Sequence, residues 1–324
     1  MQVYRSLRAL DGAPPLQAVA TVGVFDGVHL GHQHLLAALR DWASEVGRPR
    51  AVVTFDRHPL SVLGRIPPAI LTSVEHRLVL LEREGVDLVV VLTFDRELAS
   101  WSPERFVGEI LGEALGCRHL LMGHDSALGS GARGTFEYLR DRPGLDLELR
   151  SVPPFRLDGK PVSSTDIRAA VLKGELQKAA ALLGRPLSLF GEVIAGDGRG
   201  RQLGFPTANL NLFHSAAPPH GVYLADARVD DVQYPALVNI GRRPTFLDDT
   251  VPLDYSRYFN EQLDKVEVFV SGLDRDLYGL QLEARLHEKI RDEKRFGSVE
   301  ALVTQIRLDL ERLQEWWGRR TNPR

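Results

Sequence analysis

The chain is 324 residues long, 44% hydrophobic and 26% charged, with a formal net charge of −3. That length suits two domains rather than one core, and so balanced a charge gives no electrostatic case for nucleic-acid or membrane partners. No apolar stretch approaches a membrane span, no basic-then-apolar leader is apparent at the start, and the single cysteine, Cys117, excludes an internal disulfide and suits the cytoplasm.

In chain order, the first half alternates apolar strand candidates with amphipathic stretches. Strands are expected at Ala18–Val24, Ala51–Phe55, Leu88–Phe94, His119–Met122 and Leu147–Val152, and helices at Leu30–Val46, Glu75–Glu84, Pro103–Leu115 and Phe136–Arg140. This alternation predicts an α/β domain, a doubly wound parallel sheet with ligands bound beyond the carboxyl ends of its strands. Cys117 falls in an apolar helix-to-strand connection and is expected as a buried small side chain. After Leu183-Gly-Arg-Pro186, where Gly and Pro end a helix, the pattern changes. Short alternating strands follow at Leu189–Ile194, Val222–Val229, Val232–Ile240, Val266–Val270 and Leu280–Ile290, with Asp230-Asp231 as a hairpin turn. A helix over Val299–Trp317 carries Leu302, Ile306, Leu310, Leu313 and Trp317 on one stripe. The second half therefore predicts an antiparallel β-barrel with a packing helix, and the domains divide as 1–185 and 186–324.

The most informative stretch is Gly196-Asp-Gly-Arg-Gly-Arg-Gln-Leu-Gly-Phe-Pro-Thr-Ala-Asn209. Its glycines let the backbone approach a phosphate closely, and Arg199 and Arg201 add cationic donors. Thr207 and Asn209 offer oxygens of the kind Mg²⁺ prefers, after a turn stiffened by Pro206. A plain glycine-rich hairpin loop is the bland alternative. No Walker A run occurs anywhere, so phosphoryl transfer would have to use this loop.

This segment resembles the signature of riboflavin kinases. Upstream, Gly23-Val-Phe-Asp-Gly-Val-His-Leu-Gly-His-Gln33 resembles the nucleotide-binding start of bacterial FMN adenylyltransferase modules. Downstream, Asn239-Ile-Gly-Arg-Arg-Pro-Thr-Phe246, Val266-Glu-Val268, Asp276-Leu-Tyr-Gly279 and Ile290-Arg-Asp-Glu293 follow in kinase order. Over roughly residues 15–315 the chain looks like the bifunctional bacterial riboflavin kinase/FAD synthetases. The resemblance implies a nucleotidyltransferase-like first domain and a riboflavin kinase second domain. Together they would make FMN from riboflavin and FAD from FMN, with ATP as co-substrate and Mg²⁺ at each step. Riboflavin, FMN and ATP are the implied small-molecule partners, and no segment specifies an oligomeric state.

In the first domain, His29 and His32 bracket Leu30-Gly31 at a strand-to-helix turn, where a helix N-terminus attracts phosphate. Two imidazoles there can donate to a phosphorus centre as its charge builds. Metal ligation or plain surface histidines are the alternatives, and His34 is expected to be solvated. The resemblance implies an ATP site from Gly23, Phe25, Asp26, Gly31, His58, Ser164, Thr165 and Arg168. Ser163-Ser-Thr-Asp-Ile-Arg168 reads equally well as a capping box, and Asp166 stands where relatives often carry Arg. Arg57 replaces a proline in Thr54-Phe-Asp-Arg-His-Pro59. In Gly123-His-Asp-Ser-Ala-Leu-Gly129, Asp125 and Gly129 match the implied flavin loop, while Ser126 and Leu128 replace two phenylalanines. Two lost rings remove about 1–3 kcal/mol of stacking and burial. Gly129-x-Gly131-x-x-Gly134 also fits a dinucleotide-binding pattern, but it lies in mid-domain and reads as a flexible glycine loop.

In the second domain, the resemblance implies ATP contacts from Gly198, Arg199, Gly200, Arg201, Gly204 and Thr207, with Thr207 and Asn209 on the metal. Glu267 matches the catalytic base; an outward carboxylate on an alternating strand is the alternative. Arg291, Glu293 and Phe296 match the flavin end, though Arg291 and Glu293 also read as an ion pair. Leu247–Lys265, with Tyr255, Tyr258 and Phe259, reads as a surface insertion or as a lid over the flavin. Three rivals stand beside the bifunctional reading. One is a kinase whose adenylyltransferase half is weakened or lost. The second is a non-catalytic flavin or nucleotide sensor, and the third a dinucleotide-dependent oxidoreductase resting on the 129–134 glycines.

Overall fold

Six short segments of the first half form parallel strands. This computed structural model describes residues 1–10, 15–64, 66–196, 199–212, 216–230, 232–241 and 265–321. The chain divides into two compact units, Met1–Ser164 and Thr165–Arg324.

In the first unit, β1 (Gln2–Tyr4), β2 (Val19–Val22), β3 (Arg50–Phe55), β4 (Leu88–Leu92), β5 (His119–Gly123) and β6 (Glu148–Val152) lie in the order β1-β4-β3-β2-β5-β6. Alternate residues feed two cores, one on each face. Ala20, Val22, Val53 and Val90 face one side, with Phe106, Ile110 and Leu111. Val19, Val52 and Val89 face the other, with Leu36, Leu39 and Leu81. The sheet is thus doubly wound, as expected. Helix α1 (Leu30–Val46) keeps its expected bounds and ends on left-handed Gly47 at φ 65°. The remaining helices are α2 (Pro59–Val62), α3 (Val74–Arg83), α4 (Arg96–Ser100), α5 (Pro103–Arg105, continuing as a π-helix over Phe106–Ala114) and α6 (Phe136–Arg140). A hairpin of β7 (Arg156–Leu157) and β8 (Lys160–Pro161) completes the unit. Strand order reverses at β2 and β5, so the loops leaving these two strands flank the switch point where such sheets bind ligands.

The second unit opens with α7 (Ser164–Leu172) and α8 (Leu176–Leu183), the latter ending on left-handed Gly184 at φ 71°. Strands β9 (Leu187–Ile194), β10 (Ala208–Leu212), β11 (Gly221–Val229), β12 (Val232–Gly241), β13 (Lys265–Val270) and β14 (Gln281–Arg291) close a barrel in the order β10-β13-β12-β11-β14-β9. A single turn, α9 (Arg199–Gln202), precedes β10, and α10 (Val299–Thr321) follows β14. Helix α10 packs Leu313 and Trp316 on Val222, Leu224 and Leu237. The expected stripe divides: Leu310, Leu313 and Trp317 join this core, whereas Leu302 and Ile306 line a cavity. Asp230 takes a left-handed φ of 46°, as a tight hairpin requires; Asp231 lies outside the described residues. Cys117 is buried, and burial pushes its thiol up to about 11.

Candidate active sites

The loop leaving β2 is strained and firmly held. Phe25, Gly27 and Val28 take φ values of 52°, 85° and 38°, and left-handed backbone costs a non-glycine residue of order 1–3 kcal/mol. The Asp26 carboxylate accepts from the amides of Leu71 and Thr72, each at 3.0 Å, and from the Thr72 hydroxyl at 3.3 Å. Thr72 Oγ1 in turn accepts the Gly27 amide at 2.9 Å, and the Ser164 hydroxyl donates to the Asp26 carbonyl at 2.9 Å. Arg77, 3% exposed, donates to Thr54 Oγ1 and the Phe55 carbonyl, and Thr54 donates to the Val24 carbonyl. Burial pulls the Arg77 guanidinium below its usual range, with Asp26 opposing. Asp26 and Phe25, expected at the nucleotide, are therefore buried: one ties down the 71–72 segment and the other packs under α1. Thr72 and Arg77 were not foreseen; the Ser73-to-His76 cap beside them was the available local signal.

That loop delivers two imidazoles to the start of α1. His29 Nδ1 accepts the Gly31 amide at 3.1 Å and caps the helix, so its Nε2 carries the proton. The rings of His29 and His32 stack at 3.7 Å, and Phe25 tilts against His32 at 5.0 Å. A Cβ at Gly31 would stand 3.0 Å from the His29 ring. His58 uses the same device at α2, its Nδ1 accepting the Leu60 amide at 3.2 Å. His34 is half-buried against Phe155 rather than solvated. Thr165 and Arg168 lie in the first turns of α7, in the second unit.

The 123–134 segment corrects two expectations. Leu128 is not a pocket residue that has lost a ring; it is 7% exposed and packs in the sheet's core. The Ser126 hydroxyl accepts the Gly123 amide at 3.1 Å and closes the turn, leaving Asp125 exposed. Gly129 and Gly134 are tightly packed, whereas a Cβ at Gly131 would meet only Arg133 at 3.7 Å. A Cβ at Gly129 would fall 2.5 Å from Pro103 N, and one at Gly134 would fall 2.7 Å from the Leu128 carbonyl.

In the second unit, one cavity of about 450 Å³ collects most of the expected residues: Gly200, Thr207, Asn209, Glu267, Arg291, Glu293 and Phe296. Glu267 is a direct cross-strand partner of both Asn209 on β10 and Asn239 on β12. Asn239 Nδ2 donates to Glu267 Oε2 at 3.5 Å, and Lys265 Nζ lies 3.0 Å from Oε1. Val266 and Val268 are buried on the opposite face of β13, so the outward-carboxylate reading is geometrically right. That outward face is the wall of the cavity. The glycine loop presses onto the same place. A Cβ at Gly196 would stand 2.0 Å from Asn209 Nδ2, and one at Gly200 would stand 2.5 Å from the Phe205 carbonyl. Gly204 takes φ 83°. Gly198, the side chains of Arg199 and Arg201, and residues 242–264 with the tyrosine cluster lie outside the described residues. Lys265, counted with the insertion, instead begins β13.

Arg291 does not pair with Glu293. It forks onto Asp309 of α10, with Nε at 2.9 Å and Nη2 at 2.7 Å from Oδ2. A Cβ at Gly241 would strike Glu293 Oε1 at 2.3 Å, so Glu293 lies against the end of β12. Asp309, Asn239 and Lys265 had no assigned role in the sequence. Asp309 was traceable only as an acid one turn from Ile306 on a buried stripe.

Comparison with known proteins matches both halves. The FAD synthetase family model covers residues 13–166 and the riboflavin kinase model covers residues 183–317. The bifunctional riboflavin kinase/FMN adenylyltransferase of Pseudomonas fluorescens is 37% identical over 312 residues, 96% of each chain. That of Escherichia coli (strain K12) is 34% identical over 322 residues, 98% of each. That of Bacillus subtilis (strain 168) is 34% identical over 297 residues, 90% of each. A crystal structure described as a macrolide-efflux protein from Streptococcus pneumoniae aligns with TM-score 0.76 at 31% identity, covering 95% of this chain and 97% of that one. Among the described residues no helix is long and apolar enough to cross a membrane.

Proposed function

The chain belongs to the bifunctional riboflavin kinase/FMN adenylyltransferase family, and from that membership we propose how its residues divide the work. It is an ATP-dependent transferase that phosphorylates riboflavin to FMN and adenylylates FMN to FAD. Matches over both halves favour this reading over a kinase that has lost its partner activity and over a sensor without chemistry. We take 1–185 as the adenylyltransferase domain and 186–324 as the kinase domain, and we place the enzyme in the cytoplasm.

The observation that carries the kinase assignment is the meeting of Glu267, Asn209, Thr207 and the glycine loop in one cavity. Glu267 accepts the proton of the ribityl hydroxyl as its oxygen bonds the γ-phosphorus and the bridge to the β-phosphate breaks. Lys265 and Asn239 orient that carboxylate. Backbone amides of the loop, with Arg199 and Arg201, hold the phosphates, and Arg291, Glu293 and Phe296 take the flavin end. Thr207 and Asn209 would hold Mg²⁺, as neutral oxygens suit a cation that keeps phosphate ligands of its own. When bound, the cation neutralises charge on the phosphates.

In the other half, a phosphate oxygen of FMN attacks the α-phosphorus of ATP and pyrophosphate leaves. His29 and His32 donate to the α-phosphate as its charge builds. From family membership we assign Gly23, Gly31, His58 and Ser164, and separately Thr165 and Arg168 on α7, to the nucleotide, with Phe25 and Asp26 shaping the loop after β2, and Asp125 and Gly129 to the flavin. Incubation with riboflavin, ATP and Mg²⁺, followed by chromatography, tests the whole reading. Both FMN and FAD are expected; accumulation of FMN alone would reduce the enzyme to a kinase.

A further inference from the structure

The Arg291–Asp309 pair is set in the wall of a ligand cavity, not in the barrel core. The guanidinium is held from several directions. Its Nε reaches Oδ1 at 3.1 Å as well as Oδ2, Nη1 donates to the Asp292 carbonyl at 3.1 Å, and Gln305 Nε2 donates to Asp309 Oδ1 at 2.9 Å. The side chains of Arg291 and Asp309 are 14% and 3% exposed. Leu302 and Ile306, two turns and one turn before Asp309 on α10, line the same cavity, as does Phe296.

Stability alone does not account for this arrangement. Desolvating two charges offsets most of their attraction, and hydrophobic residues of similar volume commonly hold such a contact as well or better. An ion pair adds orientation, because a forked carboxylate fixes the plane of a guanidinium. That plane can then stack on a flat π-system or present an N–H edge to its carbonyls, while Leu302, Ile306 and Phe296 supply an apolar wall.

We propose that Asp309 is a positioning residue for riboflavin. It fixes the Arg291 guanidinium and, with Gln305, seats the first half of α10 so that Leu302 and Ile306 meet the tricyclic ring. This rests on the reading of Arg291, Glu293 and Phe296 as the flavin end of the kinase site.

The test uses the full chain with Arg291→Met, Asp309→Asn and the double variant Arg291→Met/Asp309→Leu. Riboflavin phosphorylation is measured as separate KM values for riboflavin and ATP, with melting temperature and FMN adenylylation alongside. Asp309→Asn is expected to raise the riboflavin KM about tenfold to a hundredfold, while the ATP KM moves less than about twofold. The double variant is expected to melt no lower than the parent and yet show the same riboflavin defect. An unchanged riboflavin KM in the folded double variant, or equal rises for both substrates in Asp309→Asn, overturns the proposal. If Arg291→Met alone leaves the riboflavin KM unchanged, the flavin-end reading itself falls. If Arg291→Met raises it and Asp309→Asn does not, that reading stands and the positioning role falls.

Discussion

Asn209 and Glu267 are direct partners across the β10–β13 ladder, the first from the glycine-loop strand and the second from the strand that follows residue 264. Side chains on a strand alternate between faces, so a one-residue slip would turn Glu267 into the barrel interior among valines. Register therefore sets the distance between the groups assigned to metal and base.

Glu267→Gln keeps the shape and the hydrogen bond from Asn239 but cannot take a proton. Riboflavin phosphorylation should fall by about 10²–10⁴, while conversion of added FMN to FAD continues. The two products of one chain, measured separately, check this. Near-parental FMN formation would remove Glu267 from the mechanism.

Gly196→Ala tests the close approach of the loop to Asn209. The added methyl would meet Asn209 Nδ2 at 2.0 Å, so either the loop or Asn209 must move. Kinase activity should drop with a higher Mg²⁺ requirement, read from a Mg²⁺ titration. An unaltered titration curve would separate Asn209 from the metal.

How much of this was legible from the sequence differs from residue to residue. Helix α1 was, because an apolar period and Gly47 at its end agree with the tertiary packing. Glu267 and the glycine loop were, because motif order carried them. Strand β10 was not: Asn-Leu-Asn reads locally as a turn, and only pairing with β9 and β13 makes it a strand. The Asp26 tether was not legible either, because its partners, Leu71 and Thr72, are remote in sequence.

Asp26→Asn removes charge from the hydrogen bonds to Leu71 and Thr72 but not the side chain's volume. The left-handed backbone at Phe25 and Val28 loses its restraint, and His29 and His32 lose their alignment. FAD formation should fall by about tenfold or more in kcat, with riboflavin phosphorylation as the internal control. Equal loss of both activities would indicate a folding defect.

Leu128→Phe should not improve flavin affinity, since Leu128 packs in the core and added volume there costs about 1–3 kcal/mol. A lower melting temperature with an unchanged KM for FMN is the expected pair of results. A lowered KM for FMN would return position 128 to the pocket.

Cys117 should resist alkylation at pH 8 in the native enzyme, because burial pushes its thiol up to about 11 and leaves little thiolate. Denaturant should restore reactivity. Mass spectrometry with and without denaturant reads both states.

Because β10 bonds to both β9 and β13, the barrel closes on itself and β13 runs between two hydrogen-bonded neighbours. The amides around Glu267 should then exchange with deuterium only when the barrel opens cooperatively, at the slow end of the protein's range. Glu267, proposed as the proton acceptor, would be lost to heat with the barrel itself rather than by local fraying.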